Sequence, residues 1–279
     1  MLYGLENKIE EFKKAVKENN LRQSYLFFGE PQVGKFTFAK SLVNFLETQE
    51  FAPLEGLPAG RHGRRPLVDA EFFLPDRQAG LPDESGSIGI DAVRRLKKFL
   101  YQRPIASSRR SAVFDSAESL TPEAQNALLK IIEEPPQFSL VIFIAHETSV
   151  FSPTLASRFT KVYFPRLSQK AIEKFLKEKL KVSPEKAALT AKQSFGRIGR
   201  AVKLLQSLPA GRQGPPSRTE KADPESLSEY LEELILSLHK NLLKNSSKLS
   251  WLLEREELVK RYNLNPKLQF KAIQEKIYE

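Results

Sequence analysis

Cysteine is missing from this sequence, and several other residue types that carry chemistry are rare. The 279 residues include no cysteine, one methionine, one tryptophan and three histidines, which are His62, His146 and His239. A chain without cysteine forms neither disulfides nor a thiolate zinc site. Histidines this far apart in the sequence are typical of surface or loop positions, so we expect no zinc and no other metal cluster.

Long hydrophobic runs are also missing. The longest one, LVIFIA at 140–145, is too short to cross a lipid bilayer. The N-terminal segment MLYGLENKIEEFKK is charged and amphipathic, unlike the apolar core of a secretory signal. With 41% hydrophobic and 28% charged residues, the composition is typical of a soluble globular protein. We therefore expect a cytoplasmic protein with no membrane partner.

Positive charge is in excess, with a formal net charge of +10 and a pI near 9.6. This balance favours a polyanionic partner, although a well-solvated surface explains it equally. One basic face can be located in IDAVRRLKKFL (90–100), where a helix would separate an apolar side from a basic side. The basic side provides four candidate DNA contacts, Arg94, Arg95, Lys97 and Lys98. The alternative is a plain solvated helix face.

Apolar runs and helical patterns alternate along the first part of the chain. Runs bounded by turn residues predict strands at 24–30, 71–75, 111–117, 140–146 and 161–165. Apolar residues at helical spacing predict helices at 5–19, 36–47, 90–102 and 122–134. This alternation is typical of a parallel α/β sheet. From residue 168 onward only helices are predicted, beginning with 168–180, 184–194 and 198–207.

These patterns predict four parts of the chain. They are an α/β domain at 1–167, a helical lid domain at 168–207, a Pro/Gly/Arg-rich linker at 208–224 and a short helical C-terminal domain at 225–279. The segments LPAGRHG (57–63) and LPAGRQG (208–214) are nearly identical. They are too short to bury a face of their own, so we interpret them as insertions in exposed loops.

The segment GEPQVGKFT (29–37) lies between a predicted strand and a predicted helix and resembles a phosphate-binding P-loop. In that motif backbone N–H groups and a lysine bind phosphates, and a hydroxyl after the lysine binds Mg²⁺. Phe36 stands in the hydroxyl position, and Thr37 points elsewhere around the helix. The alternative is a tight turn that binds no nucleotide. The candidate nucleotide-binding residues are Gly29, Val33, Gly34, Lys35, Phe36 and Thr37.

The predicted strand SAVFDSA (111–117) places a carboxylate at its carboxyl end, where P-loop proteins organise Mg²⁺. Asp115 fills that place, so it joins the candidate nucleotide-binding residues. The next position usually holds a glutamate that activates the attacking water, but here it is Ser116, which is no base near neutral pH. Glu118 is two residues further on and is expected to face differently. In the alternative interpretation Asp115 only caps the turn.

Three longer segments carry a family resemblance. They are FDSAESLTPEAQNALLKIIEEPP (114–136), SPTLASRF (152–159) and GRIGRAVKLL (196–205). Together they resemble the clamp-loader ATPases of the AAA+ class, in the family's order, over about residues 1–206. Within that class the chain is similar to the delta prime family of bacterial DNA polymerase III. That family keeps the P-loop AAA+ fold while its own ATP site is often degraded.

The resemblance implies roles for two arginines and a set of partners. Arg158 would be an arginine finger offered to ATP on the neighbouring subunit, and Arg200 would be the sensor 2 arginine of a nucleotide site. For Arg158 the alternative is a surface arginine that pairs locally, and for Arg200 it is a solvated arginine. The implied partners are the gamma/tau and delta subunits, the sliding clamp and primer–template DNA. The implied ligand is ATP or ADP in a weak or passive site.

The chain also departs from the family pattern. Phe159 replaces the usual cysteine, the loop at 51–89 takes the place of a four-cysteine zinc module, and the collar-like C-terminal part is short. The resemblance thus favours a subunit of the DNA polymerase III holoenzyme without ATPase activity of its own. Two alternatives stay open: an active ATPase similar to the gamma/tau motor subunit, and a stand-alone nucleic-acid binder.

Overall fold

A parallel sheet of five strands is the centre of the part of the chain that the structure describes. The structure is a computed structural model, and it describes residues 2–52, 67–75 and 86–207 together with separate helical positions between 231 and 276. The strand order is β2-β3-β4-β1-β5, and all four pairings are parallel. The strands are β1 Ser24–Phe28, β2 Ala70–Phe73, β3 Arg110–Phe114, β4 Ser139–Ala145 and β5 Thr160–Tyr163.

Helices cover the sheet and then continue without strands. The described helices are α1 Glu6–Lys17, α2 Lys35–Thr48, α3 Ile90–Leu100, α4 Pro122–Glu133, α5 Pro153–Ala156, α6 Gln169–Leu180, α7 Pro184–Gln193 and α8 Ile198–Ser207. The predicted parallel α/β fold is confirmed, with each predicted strand and helix of the described ranges within a few residues of its expected place. The short helix α5 was not predicted, because four residues carry too little periodicity to identify it.

The sheet is apolar on both faces because helices pack against each of them. Every residue of β4 is buried. On one face the sheet packs against α3 and α4, through a cluster that includes Phe114, Leu128 and Phe143. On the other face it packs against α1 and α2, through a cluster that includes Phe27 and Phe38. The segment that continues into the P-loop therefore starts from a strand fixed between two cores.

Helices α6, α7 and α8 have a small hydrophobic core of their own, which includes Ile172, Phe175 and Ala191. Their arrangement fits the predicted lid, although its boundary at 167/168 stays a prediction. The chain divides into two compact units, Met1–Ala210 and Gly211–Glu279. The predicted linker at 208–224, the LPAGR segments and most of the predicted C-terminal domain lie outside the described residues. Among the described residues, no helix is long and apolar enough to cross a membrane.

Candidate functional site

The carboxyl ends of β1, β3 and β4 bring three sequence-distant segments together. The Gly29 N–H, after β1, donates to the carbonyl of His146, after β4, across 3.1 Å. The Asp115 N–H, after β3, donates to the carbonyl of Phe73 across 3.0 Å. Because all strands are parallel, the P-loop segment and Asp115 lie at the same edge of the sheet.

Two glycines shape the loop that follows β1. Gly29 has φ +134°, and a Cβ there would collide with the carbonyl oxygen of Phe164. Gly34 has φ +99° and is the N-cap of α2, with no side-chain cap on the helix. The N–H groups of Lys35, Phe36 and Thr37 open α2, where backbone donors have no intrahelical acceptor. The loop thus presents backbone donors at a helix N-terminus, as phosphate binding requires, while Val33 is buried in the core.

Lys35 spans the loop from inside. Its side chain is buried, and its ammonium donates to the carbonyl of Gly29 and, across 2.7 Å, to the carbonyl of Glu30. Burial lowers the pKa of Lys35 to about 8, although the nearby carboxylates of Glu118, Asp115 and Glu30 act in the opposite direction. The lysine therefore holds the loop in shape and keeps one ammonium proton for a further acceptor.

A tight turn after β3 arranges the carboxylates of the site. Ser116 adopts a left-handed conformation with φ 53°, and its N–H donates to Oδ1 of Asp115 across 3.1 Å. The 3₁₀ turn Ala117–Ser119 then brings the carboxylate of Glu118 back to the strand ends, where it accepts the N–H of His146. The sequence predicted that Glu118 faces differently from the usual base position, and in the structure its carboxylate still lies close enough to act on the charges of Lys35 and Asp115.

The electrostatics of Asp115 reflect this crowding. Burial raises the pKa of Asp115, and the negative charge of Glu118 raises it further. The N–H of Ser116 and the ammonium groups of Lys40 and Lys35 act in the opposite direction. Sequence reasoning missed Lys40, although its position four residues after Phe36 on α2 places both on one helix face.

Arg200 lies on α8 and is buried, with 3% of its surface exposed. Its guanidinium is 5.3 Å from the centre of the Phe195 ring. The helix α8 begins against the P-loop, because the N–H of Gly199 donates to the carbonyl of Gln32 across 2.8 Å. The alternative of a solvated arginine is therefore wrong. A role of Arg200 towards a nucleotide stays a prediction.

Arg158 lies far from the P-loop of its own chain. It precedes β5, whose first residue pairs with Tyr25 near the start of β1, whereas the P-loop follows Phe28 at the end of β1. Three strand residues span about 10 Å, so Arg158 and the P-loop lie at opposite ends of the strands. The guanidinium pairs with Glu133 at 2.7 Å and also donates to the carbonyl of Thr154.

The basic face of α3 is partly neutralised. The predicted apolar side consists of Val93, Leu96, Phe99 and Leu100, of which Phe99 is half-buried and the other three are buried. Arg94 pairs with Asp91 at 2.8 Å, and Arg95 pairs with Glu71 at 2.7 Å. Lys97 and Lys98 are exposed and form no ion pair with any residue of the described ranges. These two lysines are thus the better candidates for phosphate contacts.

Comparison with known families identifies the class of the chain. The sequence pattern of the family described as "DNA polymerase III, delta subunit" matches residues 4–168, which include the P-loop segment, Asp115 and Arg158. The chain belongs to this family. The match covers more than half of the chain and ends where the sheet domain gives way to α6.

Curated relatives of this family member are subunits of replication complexes by name. DNA polymerase III subunit gamma/tau of Mycoplasma pneumoniae is 24% identical over 199 residues, which are 70% of this chain and 28% of that protein. Replication factor C subunit 3 of Saccharomyces cerevisiae is 28% identical over 221 residues, 77% of this chain and 58% of that protein. The chain thus spans between about a quarter and three fifths of the length of these relatives.

Solved structures show the same fold. A gamma-subunit-related protein of DNA polymerase III from Thermotoga maritima matches with a TM-score of 0.53 and 19% identity, over 94% of this chain and 96% of that one. The RuvB Holliday junction branch migration motor of Thermotoga maritima matches with a TM-score of 0.50 and 16% identity, over 73% of this chain and 61% of that one. The sheet of this family member is thus an AAA+ P-loop fold.

The AAA+ fold implies a nucleotide and a magnesium ion, and the residues fit the two unequally. The uncapped start of α2 and the buried ammonium of Lys35 fit phosphate groups. A magnesium ion requires oxygen ligands, and Phe36 provides none at the position where the motif has a hydroxyl. The site therefore fits phosphate groups, and at position 36 it lacks the oxygen ligand that the motif offers to a magnesium ion.

Proposed function

We propose that this family member is a delta-prime-like clamp-loader subunit that does not hydrolyse ATP itself and offers Arg158 to the nucleotide site of a neighbouring subunit. In this role it joins the gamma/tau and delta subunits in the cytoplasm and helps them load the sliding clamp on primed DNA. The names of the relatives support the clamp-loader role, since gamma/tau and replication factor C subunits are among them.

The observation that carries the proposal is the place of Arg158. This arginine lies at the amino ends of the strands, whereas its own P-loop lies at their carboxyl ends. It is therefore not available to a nucleotide bound by its own chain. It is 35% exposed, which allows contact with a second subunit. An arginine offered in trans to a nucleotide site contributes about 10³–10⁵ in kcat in other P-loop proteins.

Two side chains support the absence of hydrolysis in this chain. Phe36 replaces the hydroxyl that binds Mg²⁺, and Ser116 replaces the base that activates water. A nucleotide bound by Gly29, Gly34 and Lys35 would be passive, with Asp115 and Arg200 near its phosphates. The exposed Lys97 and Lys98 of α3 would contact the backbone of primer–template DNA without reading its sequence.

The proposal is tested by comparing the chain alone with the assembled complex. We expect no ATP turnover by the purified chain, and turnover when it is mixed with ATPase subunits, clamp and primed DNA. Inactivating the partner's P-loop lysine should abolish this activity, whereas Lys35→Ala in this chain should leave it intact. Loss of the activity through Lys35→Ala alone, in a complex that still assembles, would refute the proposal.

One observation favours an active ATPase similar to the gamma/tau subunit instead. The Glu118 carboxylate lies close enough to Lys35 and Asp115 to act on their charges, so the site contains a second carboxylate that can accept a proton. Turnover by the purified chain that Lys35→Ala and Glu118→Gln both abolish would support this function. Tight DNA binding by the monomer at physiological salt would instead support a stand-alone nucleic-acid binder.

A further inference from the structure

Phe36 stands at the position where a P-loop protein has the hydroxyl that binds its magnesium ion. Its ring is half-buried and packs edge-on against Phe72 of β2, with the ring centres 6.1 Å apart. The ring offers no oxygen to a metal ion. A divalent cation therefore loses one ligand at this position.

Lys40 places a positive charge over this ring. It lies one helical turn after Phe36, and its Nζ is 4.0 Å from the centre of the Phe36 ring. An ammonium over an aromatic face is stabilised by the electrostatics of the ring. The contact fixes the direction of a side chain that is otherwise long and flexible.

The charge of Asp115, the carboxylate that would share the metal ion, acts on Lys40. Burial lowers the pKa of Lys40, and the charge of Asp115 opposes this shift. Lys35 acts on Asp115 from the side of the P-loop. Two ammonium groups, those of Lys35 and Lys40, and two carboxylates, those of half-buried Asp115 and exposed Glu118, thus act on one another in the region where other P-loop proteins bind a divalent cation.

We propose that the ammonium of Lys40, held over the ring of Phe36, replaces the divalent cation, so that this chain binds a nucleoside di- or triphosphate without Mg²⁺. The inference rests on the passive nucleotide site of the proposed function. It goes further because it assigns the compensating charge to one residue. It also explains why the loss of the hydroxyl at position 36 leaves the P-loop glycines and Lys35 in place.

The test is the affinity of the full chain for a fluorescent ATP or ADP analogue at pH 7, measured in excess EDTA and in excess Mg²⁺. We expect the two dissociation constants to agree within about twofold. Lys40→Met should weaken binding in EDTA about tenfold or more, and Lys40→Arg should retain it. Lys174→Met, a change of the same kind at an exposed position of α6, should have no effect.

The nucleotide affinities test the role of Lys40 separately from the role of Arg158. A wild-type affinity that rises tenfold or more with Mg²⁺ would overturn it, as would an unchanged affinity in Lys40→Met. Absence of nucleotide binding in both buffers would overturn it too, while the ATPase of the assembled complex would still report on Arg158. Thermal unfolding of each variant, with and without nucleotide, shows whether a weak affinity reflects a lost contact or a chain that failed to fold.

Discussion

The guanidinium of Arg158 pairs with the carboxylate of Glu133 at 2.7 Å, which ties the proposed finger to the end of its own helix α4. Both side chains are more than a third exposed, and exposed ion pairs contribute about 0–1 kcal/mol to stability. The arginine can therefore leave Glu133 for a partner at small cost. The pairing is compatible with an arginine offered to a neighbouring subunit and with a surface arginine that pairs locally. The contribution of the ion pair to stability distinguishes the two.

We predict that Glu133→Ala changes the free energy of unfolding by less than about 1 kcal/mol. Urea unfolding of the full chain, followed by far-ultraviolet circular dichroism, measures the change. Glu134→Ala, at the adjacent exposed position, is the control. A loss of more than about 2 kcal/mol specific to Glu133 would show that Arg158 is a structural residue bound to its own chain.

Gly29 provides a second prediction, about the shape of the P-loop. Its φ of +134° and the nearby carbonyl of Phe164 leave no room for a side chain. We expect Gly29→Ala to destabilise the chain by about 2 kcal/mol or more. Gly89→Ala is the control, since Gly89 has φ −85° and open space around a Cβ. Equal effects of the two changes in urea unfolding would contradict the observed loop geometry.

The lowered pKa of Lys35 predicts a pH dependence of nucleotide binding. The free chain loses the ammonium proton as pH rises through about 8, and phosphate binding requires the charged form. The affinity should therefore fall about tenfold per pH unit above pH 8. Lys35→Arg stays charged over this range, so its affinity should be nearly independent of pH. A flat wild-type profile up to pH 10 would show that the buried ammonium is not required.

The α3 face predicts a change in salt dependence. Each lost phosphate contact reduces the slope of log affinity against log salt by about 0.9 on duplex DNA. We expect Lys97→Ala with Lys98→Ala to lower the slope of the assembled complex by about twice that amount. Lys170→Ala with Lys174→Ala removes the same charge from exposed positions of α6 and is the control. Identical slopes for both double variants would remove α3 from the proposed DNA surface.

Much of the fold follows from local sequence patterns. Buried parallel strands are continuous apolar runs, so LVIFIA alone identifies β4, and turn residues mark its ends. Helix α4 begins after Thr121, the N-cap, whose side chain accepts the N–H of Ala124, and Pro122 occupies the first turn. Both residue types are typical of a helix start, so the sequence alone predicts it. The P-loop segment and Asp115 could be placed together because parallel strands share one carboxyl edge.

The rest depends on contacts that no local pattern encodes. The return of Glu118 to the strand ends requires the left-handed conformation of Ser116, which a serine rarely adopts. The burial of Arg200 depends on how α8 packs against Gln32 of the P-loop. Asp69 and Arg110 form a buried pair at 3.2 Å although they are 41 positions apart in the sequence. The contact of Lys40 with Phe36 is the exception, since helical spacing alone would have indicated it.

The most direct test of the proposed function is the ATPase rate of the assembled complex carrying Arg158→Ala. The chain is assembled with its ATPase subunits, clamp and primed DNA, and Arg103→Ala, an exposed arginine elsewhere in the sheet domain, is the control. We predict that Arg158→Ala lowers turnover at the adjacent site about 10³-fold while nucleotide binding there persists. An unchanged stimulated rate in a fully assembled complex would contradict the assignment of Arg158 as the arginine offered to the neighbouring subunit.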